Sequence, residues 1–198
     1  AARLAGADRA SRSIDVQYYL FHDDVTGRLL AHRLLLAAKR GVKVRLLLDD
    51  IGVQGRDSDL LALDAHPEID VRIFNPFANR RFRLFEYLYR FGVVTRRMHN
   101  KSMIIDGVVA IAGGRNVGDE YYDAHEASNF LDMDVMVFGP AVRDISGQYD
   151  DYWNSRFSYS IGELSQKQIT QDEAEAGWVK LEQYSQAQKG EIYLKRLR

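Results

Sequence analysis

The order of apolar and polar residues divides the chain into short strands and helices. Between Ser13 and Phe21, Ile14, Val16 and Tyr18 alternate with Asp15 and Gln17 before Tyr19-Leu20-Phe21 runs apolar. A period of two predicts a strand, and His22-Asp23-Asp24 is a polar turn after it. Thr26 is placed to cap a helix in which Leu30, Leu34, Ala37 and Ala38 share one face. Lys39, Arg40 and Gly41 end that helix with basic residues and a glycine cap. Val42 to Leu48 reads as a buried strand, apolar on both faces toward its end. Strand, helix and strand in this order favour a right-handed βαβ unit.

Asp49 and Asp50 follow at the carboxyl end of that strand. Ligands gather at this edge of open α/β sheets, but the pair could equally cap the next helix. Asp57 to Ala65 reads as a short helix ended by Pro67, and Ile69, Val71 and Ile73 mark a strand broken at Asn75-Pro76. His99 to Asp106 and Val108 to Ala112 read as two strands around a turn at Gly107. Met133 to Phe138 is a further strand ended by Gly139-Pro140. Ala141 to Asn154 is a helix carrying Val142, Ile145, Tyr149 and Trp153 at helical spacing. From Ser158 onward the chain turns polar. A helix between Glu163 and Gln188 has only a thin apolar stripe of Trp178, Leu181 and Tyr184. Residues 1–157 are therefore expected to form one unit, and 158–198 a polar helical connector or docking segment outside its core.

Composition narrows the chemistry. A hydrophobic content of 46% fits a folded domain. A formal net charge of −1 gives no global field toward nucleic acid or anionic lipid. The absence of cysteine removes disulfides, thiolate catalysis and cysteine-bound zinc. No apolar run reaches the length of a membrane span, and the polar start does not resemble a signal peptide. The first residue is not Met, so a segment of a longer protein is expected.

One stretch departs from this neutrality. Arg80 to Arg97 holds six arginines against the single acid Glu86, interleaved with Phe82, Phe85, Tyr87, Tyr89 and Phe91. Such a helix could lie on a phosphate-rich surface, its rings among headgroups and its guanidinium groups on phosphates. It could equally be an ordinary amphipathic helix with Leu84, Phe85 and Leu88 in the core.

The residues that carry chemistry cluster directly after this basic stretch. His99-x-Lys101-x4-Asp106 precedes Gly113-Gly114-Arg115-Asn116 by six residues. Two apart on a strand, His99 and Lys101 share a face. An ammonium repels a cation and cannot ligate one, so the pair makes a poor metal site and suits an anion. Lys101 can neutralise phosphate oxygens while His99 serves as nucleophile or proton donor. Asp106 could orient the ring or balance Lys101. Asn116 offers amide donors, and the glycines allow close backbone approach. These are the parts of phosphoryl transfer through a phosphohistidine, with no metal or cofactor expected.

This pattern resembles the motif of the phospholipase D superfamily. Ser13 to Leu20, Arg45 to Asp50, Arg97 to Lys101 and Gly113 to Tyr121 are similar to the first half of bacterial cardiolipin synthases of the C type, over about Ser11 to Asn154. Gly114 stands where most members have Ser, so one hydroxyl contact to phosphate is absent. The resemblance implies an α/β domain with a mixed, mostly parallel sheet and helices on both faces. It also implies an active site shared by two motifs, one histidine attacking phosphorus and the other protonating the leaving alcohol. This chain supplies one half: His99, Lys101 and Asn116, with Arg96, Arg97, Gly113 and Gly114 toward the substrate phosphate. An acid on the strand after the motif would hold the histidine ring. Asp132 and Asp134 are candidates, and Asp134 is favoured. The implied function is phosphatidyl transfer on phosphatidylglycerol or a related phospholipid, peripherally at the cytoplasmic face of a bacterial inner membrane. The second half would come from elsewhere in the same protein. The alternatives are a homodimeric nuclease or phosphodiesterase and a non-catalytic lipid-binding half-domain.

Overall fold

The computed structural model describes residues 1–77, 95–124, 129–165 and 167–187. The basic aromatic segment from Arg80 through 94 lies outside the described residues. Seven strands form one sheet in the order β6-β5-β4-β1-β2-β3-β7. They are β1 Ser13–Leu20, β2 Lys43–Gly52, β3 Ile69–Phe74, β4 Ser102–Ile105, β5 Val109–Gly113, β6 Asp134–Phe138 and β7 Ser158–Ser160. The helices are α1 Ala2–Arg9, α2 Val25–Lys39, α3 Asp57–Asp64, α4 Ala141–Trp153, α5 Ile161–Leu164 and α6 Gln171–Ala187.

The expected mostly parallel sheet is corrected. Only β1–β2 and β2–β3 are parallel, while β1–β4, β3–β7, β4–β5 and β5–β6 are antiparallel. Parallel neighbours need a long crossover, and only α2 and α3 supply one. A tight turn joins β4 to β5, with Asp106 and Gly107 at φ of 55° and 66°. Such a turn forces the antiparallel register.

Helices do cover both faces. Alternation along β1 turns Ile14, Val16 and Tyr18 toward Leu30, Leu34 and Leu35 of α2 and Leu60 of α3 in the larger core. The other face packs Leu47, Phe74, Ile104 and Ala110 against Val142, Tyr149 and Trp153 of α4. Fully burying side chains of this size contributes about 1.5–3 kcal/mol each.

Two local expectations shift. The N-cap of α2 is Asp24, whose carboxylate accepts from Gly27 N at 2.9 Å, while Thr26 lies inside the helix and donates to Asp119. The segment after 157 is also built onto the unit. β7 extends the sheet beside β3. In α6, Trp178 and Leu181 pack on the larger core, and the Trp178 indole donates to the Ala62 carbonyl at 2.6 Å.

Candidate functional site

His99 is carried by an irregular segment, 95–101, that runs into β4. Its neighbours fix that segment by burial. Met98 is fully buried, its backbone N–H donates to Asp49 at 2.9 Å, and its sulfur accepts from Gln17 Nε2 at 3.1 Å. The Arg97 guanidinium donates to Asp49 at 3.1 Å and to the Asn75 carbonyl at 3.0 Å, and it lies over the Phe77 ring. The Asn75 amide in turn donates to the Arg96 carbonyl. Burial pushes the Asp49 carboxyl up, against the Ile51 and Met98 N–H groups and Arg97. Asp50 accepts from Phe77 N at 3.0 Å.

This arrangement answers the open question over the two aspartates. Asp49 and Asp50 tie down the strand ends and the loop bearing His99, and neither caps α3, whose N-cap is Arg56. It also revises Arg97. Its side chain is only 7% exposed, so its charge is spent on Asp49, not presented to a ligand. Arg96 is exposed.

With Met98 buried, the alternation brings His99 to the surface. Its ring stacks on Tyr19, centroids 4.2 Å apart and planes 25° from parallel. Lys101 stands beside it, its ammonium 5.5 Å from the Tyr19 centroid and donating to the His99 carbonyl at 2.7 Å. Burial lowers the Lys101 pKa from the ordinary lysine value, and the Asp132 carboxylate partly offsets this. Tyr19 escaped the sequence reading. The signal available was its place on β1, offset by two from Gln17, on the face that the segment crosses.

Asn116 is 4% exposed and fixed at both ends. Its oxygen accepts from Leu20 N at 3.1 Å and its nitrogen donates to the Tyr121 hydroxyl at 2.9 Å. One of its two N–H groups is thereby used and the other remains. Gly113 and Gly114 serve packing. A Cβ at Gly113 would lie 2.3 Å from the Met133 carbonyl, and one at Gly114 the same distance from the Asp132 carboxylate. The Asp132 side chain thus occupies the space a serine at 114 would need.

Two acids do not go where the sequence reading put them. Asp106 follows β4, a strand's length from Lys101. Its carboxylate accepts from the backbone N–H of Ser11, Arg12 and Ser13 and from the Ser11 hydroxyl, at 2.7–3.2 Å. It fastens the start of β1 and makes no contact with the His99 ring. Asp134 faces α1, pairing with Arg3 at 2.9 Å and with Arg115 at 3.8 Å. Along β6 the alternation sends Asp132 and Asp134 to one face, but residue 132 precedes the strand and escapes that rule. Asp132 is the acid on the Lys101 side.

Two other features stand apart. His22, Asp24 and Glu120 place three ligand atoms within 4.8 Å of one another. Both Asp24 oxygens are already used, by Gly27 N and by Asp119 N, so the group joins α2 to the 3₁₀ turn at Asp119–Tyr121. A cavity of about 280 Å³ between α2, α3 and α6 contains none of the predicted site residues.

The comparisons place this geometry among known proteins. Residues 4–155 match the family described as cardiolipin synthase, PLD-like domain. Cardiolipin synthase C of Escherichia coli (strain K12) is 50% identical over 166 residues, covering 84% of this chain and 34% of the relative. Cardiolipin synthase A of Pseudomonas putida (strain GB-1) is 31% identical over 78% of this chain and 31% of the relative. The chain thus spans about a third of the length of these curated relatives. Two solved structures share the fold. NucT from Helicobacter pylori has a TM-score of 0.58 at 18% identity, over 80% of this chain and 89% of that one. Phosphatidylserine synthase of Haemophilus influenzae Rd KW20 has a TM-score of 0.60 at 12% identity, over 96% of this chain and 41% of that one. The chain belongs to the phospholipase D-like domain family of the cardiolipin synthases.

Proposed function

We propose that this chain supplies one half-site of a phospholipid phosphatidyltransferase working through a phosphohistidine. The observation that carries the reading is the His99 ring, surface-placed on Tyr19 with the Lys101 ammonium beside it. A surface imidazole held at a fixed angle beside a cation suits a phosphodiester. Lys101 neutralises the non-bridging oxygens, and Asn116 has one N–H left for them.

In this reaction one imidazole nitrogen attacks phosphorus as the bond to the departing alcohol breaks. A second histidine, from a partner half, protonates that alcohol. An incoming hydroxyl then displaces the phosphohistidine and gives up its proton to the same partner. Phosphatidylglycerol fits as phosphatidyl donor because the relatives that span this chain are cardiolipin synthases. Attachment is peripheral in this reading. Among the described residues no helix is long and apolar enough to cross a membrane. The segment 158–198 would lead toward the second half.

The test is incubation of the complete gene product with vesicles of labelled phosphatidylglycerol. Cardiolipin with released glycerol is expected. If neither cardiolipin nor phosphatidic acid forms, the reading fails. A second reading is a phosphodiesterase completed by another copy of the chain. One observation favours it: the shared fold covers 89% of the NucT chain, so a unit of this size can make up nearly all of a protein. Cleavage of DNA by the isolated chain would select this reading.

A further inference from the structure

Helix α6 is pinned to the unit at two points about two turns apart. At one, Trp178 donates to the Ala62 carbonyl, and a Cβ at Gly177 would lie 3.0 Å from the Ala62 Cβ. At the other, the Arg28 guanidinium of α2 lies over the Tyr184 ring, 4.6 Å from its centroid. Both anchors line the cavity of about 280 Å³ between α2, α3 and α6. Ala31, Leu63, Trp178 and Leu181 give it apolar lining. Its charged lining is Arg28, Arg56 and Lys180 against Asp23 and Asp59, one positive charge in excess.

The excess falls on Arg56. Arg28 is spent on Asp23, to which it donates twice at 2.7 and 2.8 Å. Arg56 donates to the Phe21 carbonyl, its approach to Asp23 is 3.9 Å, and its buried Nε–H has no partner among the described residues. Burial pushes the Arg56 guanidinium down, and Arg28 adds to this, although Asp23, Asp59 and Asp24 all act the other way. Asp24 lies outside the lining, with both oxygens on backbone N–H groups. The acids around Arg56 therefore leave a desolvated cation undercompensated, with donors to spare.

We propose that this cavity binds a single-chain amphiphile with an oxyanion head, Arg56 and Lys180 taking the head and Trp178 and Leu181 flanking the chain. Both parts of the ligand are needed. A bare hydrocarbon would leave Arg56 uncompensated, and a free phosphate would leave the apolar lining uncovered. A guanidinium fork suits a phosphate or carboxylate. The volume stands at the lower end of the roughly 300–1,000 Å³ of small-molecule sites, which favours one short chain over a diacyl lipid. The proposal does not depend on the chemistry at His99.

Calorimetric titration of the 198-residue chain with decyl phosphate, below its micelle-forming concentration, tests it. Saturable binding of one molecule per chain is expected. In a Trp153→Phe background, where Trp178 is the one tryptophan left, the same titration should change the fluorescence. Arg56→Gln and Lys180→Glu should each weaken binding about tenfold or more. Lys180 is exposed, so its variant keeps the test sound if Arg56→Gln fails to fold, and thermal melts check both. Arg143→Glu on α4, across the sheet, should leave binding unchanged, and so should Lys101→Ala. Decanoate in place of decyl phosphate distinguishes a fatty acid from a phosphorylated chain as the source of the head. Absence of saturable binding by either anion would overturn the proposal. So would equal affinity for decyltrimethylammonium or for inorganic phosphate, binding that survives both Arg56→Gln and Lys180→Glu, or binding lost in Lys101→Ala, which would place the ligand at the half-site.

Discussion

After β4, the Asp106 carboxylate accepts from three backbone N–H groups and a hydroxyl, and the chain there has no further chemistry to offer. Before β4, His99 lies at the surface on a tyrosine ring, and burial lowers the pKa of Lys101 beside it. Four residues of strand separate two opposite uses of polar groups. One end spends its hydrogen-bonding capacity on the fold and the other holds it back. The same contrast separates Asp134, paired with Arg3 and Arg115, from Asp132 beside Lys101. In this molecule Asp106 and Asp134 find their partners inside the chain, while His99 is held in place through its buried neighbour Met98.

If that division is right, substitutions on the two sides will separate activity from stability. The largest effect is expected at His99. His99→Ala in the complete gene product should lower turnover by about 10³-fold or more and leave stability within about 0.5 kcal/mol. Turnover on labelled vesicles and urea unfolding, measured on one preparation, check both halves. A large fall in stability would place His99 with the scaffold.

Asp49 tests the reverse. It is fully buried and holds both Arg97 and Met98 N. Removing one partner of a buried pair costs about 3–5 kcal/mol, so Asp49→Ala should lower the urea midpoint strongly. Residual activity at low temperature should also fall, because Met98 positions His99.

Asp106→Asn should cost less, about 1–2 kcal/mol at neutral pH, because asparagine tolerates the positive φ and keeps one acceptor oxygen for Arg12 N and Ser13 N, losing the charge and the acceptor facing Ser11. Burial would raise the Asp106 carboxyl, but the N–H groups of Ser13, Arg12 and Ser11 outweigh it and hold it below the ordinary value of 3.8. A carboxylate depressed in the folded state stabilises above its unfolded pKa, and that contribution disappears as pH falls through the folded value. The difference between wild type and variant should therefore shrink below about pH 4 and vanish on further acidification. A constant difference across that range would show that the charge is not what holds Ser11–Ser13.

The sequence revealed most of the elements because their periodicity is local. β1 and α2 follow from alternation and a helical stripe alone. Parallel or antiparallel pairing depends on which strands become neighbours, which is why β4 beside β1 was not foreseen. His99 and Lys101 were legible as neighbours because their spacing of two sets them on either side of Asn100, and both meet the Tyr19 ring. The roles of Arg97, Asp106 and Asp134 were not, since each is decided by a partner far away in sequence: Asp49, Ser11–Ser13 and Arg3. Tyr19 was hidden for the same reason. A tyrosine in an apolar run looks like core until a second segment is laid across it.

The smallest predicted effect separates the two acids of the β6 approach. Burial lowers the Lys101 pKa, and Asp132 is what partly restores it. Asp132→Asn should lower it further. A lysine depressed in the folded state binds fewer protons there than in the unfolded chain, so its burial cost disappears as pH rises toward 10.5. In the proposed reaction the charged ammonium is the competent form. The alkaline limb of the activity profile should therefore move to lower pH in Asp132→Asn, by less than about one pH unit. Asp134→Asn should leave that limb in place, because its carboxylate faces Arg3 and Arg115, and should show instead a modest loss of thermal stability. If Asp134→Asn moved the alkaline limb and Asp132→Asn did not, the assignment of the two acids would be reversed, and with it the division between the groups that hold the sheet edge and those that face the substrate.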